Sequence, residues 1–308
     1  MKPLEVKKLT VEYMMYRGWV EVVSNADLEI NERDEILAIV GESGCGKTTL
    51  GLTIAGLLPS NARVVHGYVK VFGKDVNSGS AKVAMIFQDA LTSLNPLLTV
   101  GDQIAEIYIH HFAMSKKEAF EEAMKRLAEV GLQASFINKY PHELSGGQRQ
   151  RVLIAMVIAL RPELIVADEP TTALDVTTQA KVLNLLKSIV KGKGIPMVYI
   201  THDLALVAHI ADKIAVMYAG QVVEYREKLA LFKDPLHLYT QALLSSLPRV
   251  DVELSELRTI RGEPPVPGNF PKGCRFSPRC PKAFSRCFVE EPRIKNVGNG
   301  YVRCHLYE

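Results

Sequence analysis

Apolar residues along this chain recur with two periods. Leu4-Glu5-Val6 and Leu9-Thr10-Val11-Glu12-Tyr13 alternate, as strands with one buried face do, and residues 3 to about 40 read as β-structure. Ile36-Leu37-Ala38-Ile39-Val40 is continuously apolar, the pattern of a strand buried on both faces. Residues 83–87, 164–167, 197–200 and 214–218 predict further strands, with helical segments between most of them. That alternation predicts an α/β fold on a largely parallel sheet. Residues 50–58 predict a short helix stopped before Pro59. Between residues 89 and 144 the period changes. Residues 116–130 are charged and amphipathic, with Phe120, Met124, Leu127 and Val130 at helical spacing. Residues 89 to about 160 are therefore expected to form an inserted helical subdomain, with 149–160 as its returning helix. From about residue 232 the pattern breaks up, and Pro264, Pro265, Pro267, Pro271, Pro278 and Pro281 exclude long helices. This tail is expected to lack a core of its own, to be stapled by cysteines, and to leave the main sheet independent of it.

Chemistry enters where strand gives way to glycine. Gly41-Glu42-Ser43-Gly44-Cys45-Gly46-Lys47-Thr48 fits G-x-x-x-x-G-K-[ST], between a strand and a helix. Glycines let successive backbone N–H groups curl around an anion, and the helix start adds its positive dipole end. Lys47 is expected on the β/γ-phosphates and Thr48 on Mg²⁺, with Thr49 following. Cys45 reads as a small loop-filling side chain, since no Cys-x-x-Cys pair accompanies it. The strand at 164–167 runs into Asp168-Glu169. The first carboxylate is placed to hold Mg²⁺ and the second to polarise an attacking water. A second glycine-rich element, Leu144-Ser145-Gly146-Gly147-Gln148, lies between.

The order of these motifs resembles the nucleotide-binding subunits of ATP-binding-cassette (ABC) transporters. The resemblance implies a P-loop NTPase core with an N-terminal β-subdomain, an inserted helical subdomain and a C-terminal extension, divided at 1–235 and 236–308. It implies that Gln88 is the Q-loop glutamine, contacting Mg²⁺ or water and sensing the membrane subunits. It implies that His202 is the switch histidine on the γ-phosphate and that Ala173-Leu174-Asp175 is the D-loop. Ser145, Gly146, Gly147 and Gln148 would then act on ATP held by a second ATPase subunit, identical or paralogous. Tyr13 is the candidate for stacking on adenine, with Tyr16 and Trp19 as alternatives.

The stretch from Phe87-Gln88-Asp89-Ala90 to Asn95-Pro96 looks like the Q-loop region of the oligopeptide/dipeptide/nickel importer ATPases. His237-Leu238-Tyr239-Thr240-Gln241-Ala242 and Pro248 look like the start of that family's C-terminal extension. Ala90 and Leu238 stand where the family usually has proline, and neither touches ATP chemistry. The dipeptide-importer subunits are the nearest likeness. The resemblance implies a peptide importer with two permease subunits and, indirectly, an extracytoplasmic solute-binding protein. Nickel and oligosaccharides remain open as solutes. A soluble ABC ATPase of translation or DNA repair is the competing class, but the chain carries one cassette and no coiled coil.

Composition sets the remaining bounds. The 308 residues are 47% hydrophobic and 23% charged, and the net charge of +3 gives no electrostatic case for nucleic acid. The longest apolar run, residues 152–160, falls short of the ~20 residues that span a bilayer. A cytoplasmic subunit held peripherally on the membrane by its permease is therefore expected. Cys274, Cys280, Cys287 and Cys304 crowd the C-terminus at C-x₅-C-x₆-C-x₁₆-C spacing, unlike the C-x₂-C pairs of zinc ribbons. Wide spacing on a proline-rich coil suits four thiolates around a [4Fe–4S] cluster, which relatives with this cysteine set also imply. Zn²⁺ on the same sulfurs is the alternative, and free thiols or disulfides the remaining one. His305 is a substitute ligand, and Lys272, Arg275, Arg279, Lys282, Arg286 and Arg303 are expected to offset thiolate charge.

Overall fold

β3 (Ile36–Val40) lies between two parallel neighbours, β8 (Met197–Thr201) and β9 (Lys213–Tyr218), and is buried at every residue because both sheet faces are covered: Leu37 and Ile39 pack with Leu50 and Ile54, Ala38 and Val40 with Leu204 and Val207. A computed structural model describes residues 1–16, 18–88, 90–246, 260 and 262–308. Asp89 and Pro248, both part of the family likeness, lie outside the described residues. Beyond β8 come β7 (Leu164–Asp168) and β6 (Val83–Ile86), again parallel. Past β9, the sheet turns antiparallel through β10 (Gln221–Glu227), β12 (Gly300–Arg303) and β11 (Ile294–Val297). The four internal apolar runs are thus strands of one eight-stranded sheet.

A second, antiparallel sheet is built from β1 (Leu4–Met15), β2 (Gly18–Ile30), β4 (Ala62–Val71) and β5 (Lys74–Asp75), in the order β2-β1-β4-β5. The two alternating runs of the sequence are one strand. Its register shifts between Val6 and Leu9, where Lys8 has φ +45°. The extra residue flips the alternation, so Leu4, Val6, Leu9 and Val11 all stay buried. They pack with Leu37, Ile39, Val198 and Ile200 of the large sheet and with Leu50 and Ile54 of α1 (Lys47–Ala55). α1 ends three residues earlier than the expected Leu58. Gly56, at φ +69°, caps its last carbonyls, so glycine and not Pro59 stops the helix.

The insertion is helical as expected, with α2 (Ala90–Ser93), α3 (Val100–Phe112), α4 (Lys116–Glu129) and α5 (Gly146–Ala159). α4 is entered through a Ser115/Glu118 capping box. Its buried stripe is Ala119, Ala123 and Leu127, followed by Val130, whereas Met124 is exposed and Phe120 half-buried. The inward face is turned by about one residue from the expected one, because alanines let the helices approach more closely than large side chains would.

The tail differs most from expectation. After α8 (Lys228–Lys233) and α9 (Leu238–Ser245), and a short α10 (Ser285–Val289), it forms the β11–β12 hairpin. Val302 and Tyr301 pair with Glu224 and Tyr225 of β10. Phe276, Val302 and Cys304 join one apolar cluster with Ala38, Val40 and Val216 of the central strands. The Tyr301 hydroxyl donates to Asp27 O (2.6 Å) and Arg303 to Asn25 O (3.0 Å), which ties the hairpin to β2. The tail has too few apolar residues for its own core, and it places them in the cassette's core. Among the described residues no helix is long and apolar enough to cross a membrane.

Candidate functional site

The phosphate loop leaves the end of β3 and enters α1 through Gly46 (φ +99°), where an added Cβ would lie 2.9 Å from Val22 O. Lys47 is buried, and its ammonium donates to Gly41 O and Glu42 O, both at 2.9 Å. Cys45 is buried in the apolar cluster. Burial pushes its thiol up despite the opposing charge of Lys47, so it is a packed thiol and not a reactive thiolate. Ser43, Gly44 and Thr48 are exposed, and Thr49 is buried.

The two carboxylates ending β7 face different surroundings. Asp168 is buried beside Thr48. Burial pushes its carboxyl up, and the neighbouring Thr48 side chain opposes this. Thr48 and Asp168 together present the hard oxygen donors that Mg²⁺ takes, one or two protein ligands beside substrate phosphates. Glu169 has φ +45°, left-handed backbone that a non-glycine residue adopts only under constraint. Its backbone N–H donates to Ile200 O at 2.9 Å, which pins the turn to β8.

The Glu169 carboxylate gathers the other candidate catalytic residues. Gln88 Nε2 donates to Glu169 Oε2 at 3.2 Å, Thr172 Oγ1 donates to Oε2 at 3.0 Å, and His202 Nδ1 pairs with Oε1 at 2.9 Å. Burial pushes this carboxyl up, but the His202 hydrogen bond and charge and the Thr172 bond outweigh it. The net is a carboxyl below its ordinary range, an anion at neutral pH. Gln88 from beyond β6 and His202 from beyond β8 thus meet on the Glu169 side chain beyond β7. Thr172 was not anticipated, and the only signal for it is its place three residues after Glu169.

Ser145 and Gln148 form a capping box at the start of α5, with Ser145 N–H donating to Gln148 Oε1 at 2.9 Å. Gly147 is buried against α6 (Val176–Lys193), where an added Cβ would stand 2.3 Å from Thr178 Cγ2. Asp175 caps α6 by accepting from Thr178 N–H at 3.0 Å. Among the described residues, neither Ser145 nor Gln148 hydrogen-bonds to the phosphate loop, and both face outward at least in part. Tyr13 is half-buried against the core, Tyr16 is fully exposed, and Trp19 lies under the Arg63 guanidinium at 3.9 Å.

Cys274, Cys280, Cys287 and Cys304 are brought together from sequence-distant positions to line one small cavity, and none is in a disulfide. Burial pushes the Cys274 thiol up to about 12 and those of Cys280 and Cys304 in the same direction, and charge on the neighbouring cysteines adds to the effect. Among the described residues, no group of three or more His, Cys, Asp or Glu side chains stands at metal-holding geometry. The basic residues expected to balance thiolate charge are mostly engaged elsewhere. Arg275 pairs with Glu21, Arg279 with Glu42, Arg286 with Glu290 and Glu308, and Arg303 with Glu291. Lys282 does line the cavity. His305 also lines it, but Nε2 faces Glu290 O at 2.8 Å and Nδ1 faces Glu308 at 3.2 Å, so neither nitrogen is free to ligate.

Residues 23–172 match the ABC transporter family, and residues 223–287 match the oligopeptide/dipeptide transporter C-terminal region. The chain is 44% identical to the oligopeptide transport ATP-binding protein AppD of Bacillus subtilis, over 99% of this chain and 97% of that one. It is 44% identical to the dipeptide transport ATP-binding protein DppD of Escherichia coli, over 98% and 96%. Among solved structures, a dimeric ATP-binding cassette in a post-hydrolysis state with ADP and phosphate superposes with TM-score 0.63 at 31% identity. That match covers 73% of this chain and 98% of the other. These matches make the chain an ATP-hydrolysing transporter subunit. The chain belongs to the ABC transporter ATPases, in the branch of the oligopeptide/dipeptide transport ATP-binding proteins.

Proposed function

We propose that this chain is the ATPase subunit that powers uptake of short peptides. The observation that carries the reading is its 44% identity, along nearly its whole length, to oligopeptide and dipeptide transport ATP-binding proteins, together with its match to their C-terminal region. Two such subunits, this chain with a copy or a paralogue, close head to tail on two MgATP. Lys47 and the loop from Gly41 to Thr49 hold the phosphates, Thr48, Asp168 and Gln88 serve Mg²⁺, and Tyr13 stacks on adenine. Ser145 to Gln148 of each subunit, with Asp175, complete the other subunit's site. Glu169 polarises the attacking water and His202 contacts the γ-phosphate. Two permease subunits seat the pair on the cytoplasmic face of the membrane and receive the closing motion near Gln88. A separate extracytoplasmic binding protein selects the solute. The division into a cassette at 1–235 and an extension at 236–308 belongs to this proposal. The test is reconstitution with candidate permease subunits and a candidate peptide-binding protein from the same cell. ATP-dependent accumulation of labelled dipeptide is expected. Uptake of nickel or an oligosaccharide instead would overturn the peptide assignment and leave the ATPase intact.

We infer further that the cysteine cavity takes a [4Fe–4S] cluster, with Zn²⁺ on the same four sulfurs as the alternative. Four soft sulfur donors around one cavity, none of them in a disulfide, support it. Cys274, Cys280, Cys287 and Cys304 would hold such a cluster, whose iron–thiolate bonds would pin the tail, and no step of ATP hydrolysis would run through it. Anaerobically purified protein is expected to be brown, with absorbance near 400 nm and about four irons per chain. Cys280→Ser should bleach it. One zinc and no iron by elemental analysis would replace the cluster with the zinc alternative.

A further inference from the structure

The phosphate loop carries a carboxylate, and it is held by the cysteine-bearing tail. Arg279 Nη1 donates to Glu42 Oε2 at 2.7 Å and Nη2 to Glu42 Oε1 at 3.0 Å, a two-point pair across 237 positions of sequence. The arginine side chain is 5% exposed and the glutamate 25%, so water screens the pair little. Arg279 also donates to the Tyr218 hydroxyl at 3.3 Å, at the end of β9. On the other side, the Glu42 backbone N–H donates to the hydroxyl of Tyr239, from α9 of the extension, at 2.9 Å. The carbonyl of the same Glu42 accepts from the Lys47 ammonium. Arg279 is itself fixed in a short turn between two of the clustered cysteines. Ser277 N–H donates to Cys274 O at 2.9 Å, Arg279 N–H to Phe276 O at 3.0 Å, and Cys274 N–H to Cys287 O at 2.8 Å.

We propose that Arg279 is a positioning residue of the nucleotide site and that the cysteine-lined turn is its platform. A carboxylate in a loop that receives a polyphosphate repels it. The two-point pair neutralises Glu42 and anchors it toward the tail, so the loop's backbone N–H groups and Lys47 meet the phosphates without an opposing charge. Tyr239 fixes the Glu42 backbone from the same extension. Through this contact the tail sets how tightly the site takes nucleotide, and a change at the cysteines that shifts the turn between Cys274 and Cys280 alters ATP affinity at the loop.

The sign of this effect separates it from a merely structural role. MgATP binding is titrated with the purified full-length chain, and thermal melting is recorded for each variant. Arg279→Gln frees the Glu42 charge and is expected to raise the Kd for MgATP about tenfold, within the range of ordinary coupling between sites. The KM of ATP hydrolysis should rise by a similar factor, and kcat should change by less. Adding Glu42→Gln to Arg279→Gln removes the exposed charge and should bring the Kd back to within about threefold of the parent, a non-additive result for a contacting pair. Arg279→Lys, which keeps the charge and loses the second hydrogen bond, should fall between. Should Arg279→Gln not fold, Arg279→Lys with and without Glu42→Gln carries the same comparison. A Kd for the folded single variant within about twofold of the parent, or a double variant as weak as the single, would overturn the proposal.

Discussion

Glu169→Gln is expected to bind MgATP normally and to hydrolyse it slower by about 10²–10⁴-fold, the contribution of a positioned general base. The substitution is nearly isosteric. Its amide oxygen can still accept from Gln88 or Thr172, which now reach the carboxylate at 3.2 and 3.0 Å, so the loop geometry should persist. What is lost is the anion that His202 stabilises at 2.9 Å. On the proposed order, in which two subunits close before hydrolysis, the variant should accumulate as an ATP-dependent dimer. Size-exclusion chromatography with and without MgATP reads this directly, alongside phosphate release. Turnover near the parent rate would remove Glu169 from its assigned role and move the base to another group.

The second large effect separates the two halves of the composite site. Lys47→Ala removes the buried ammonium that now binds Gly41 O and Glu42 O, and MgATP binding by the monomer should be lost. Ser145→Arg acts elsewhere. It forfeits a helix cap worth ~1 kcal/mol, which the fold tolerates, and places a long charged side chain where the facing subunit must close. Monomer binding should survive and dimerisation should fail. Gly147, already tight against Thr178, shows how little room this helix start leaves. Mixing the two variants should rebuild one intact site per dimer and restore part of the ATPase activity. Loss of MgATP binding by the isolated Ser145→Arg monomer would contradict action across subunits.

How much of this architecture is legible in the sequence depends on the range of the interactions. The strands at 36–40, 164–167, 197–200 and 214–218 are readable because a strand buried on both faces has no polar position, and periodicity is local. The phosphate loop is readable because its chemistry needs glycines, a lysine and a threonine within eight consecutive residues. Gln88, Glu169 and His202 fall at strand ends by the same logic, and a parallel sheet brings strand ends to one edge. Local signals are weaker where compensation is possible. The bulge at Lys8 lets one strand read as two, and alanines on α4 carry the packing that larger residues were expected to carry.

The tail shows the limit. Its prolines and scattered apolar residues correctly exclude long helices. Whether Tyr301, Val302 and Phe276 bury themselves is decided by β10 and the central strands, tens of residues away or more. Short-range spacing is enough to specify the α/β cassette, the nucleotide chemistry and a cluster of four cysteines. It does not specify that the tail completes the large sheet, that its arginines serve carboxylates and not thiols, or that one of them, Arg279, reaches the phosphate loop; the tertiary fold settles each of these. The physical reason is that pairing across a sheet edge and a charge pair over 237 positions depend on where the folded backbone returns, and no local period records that.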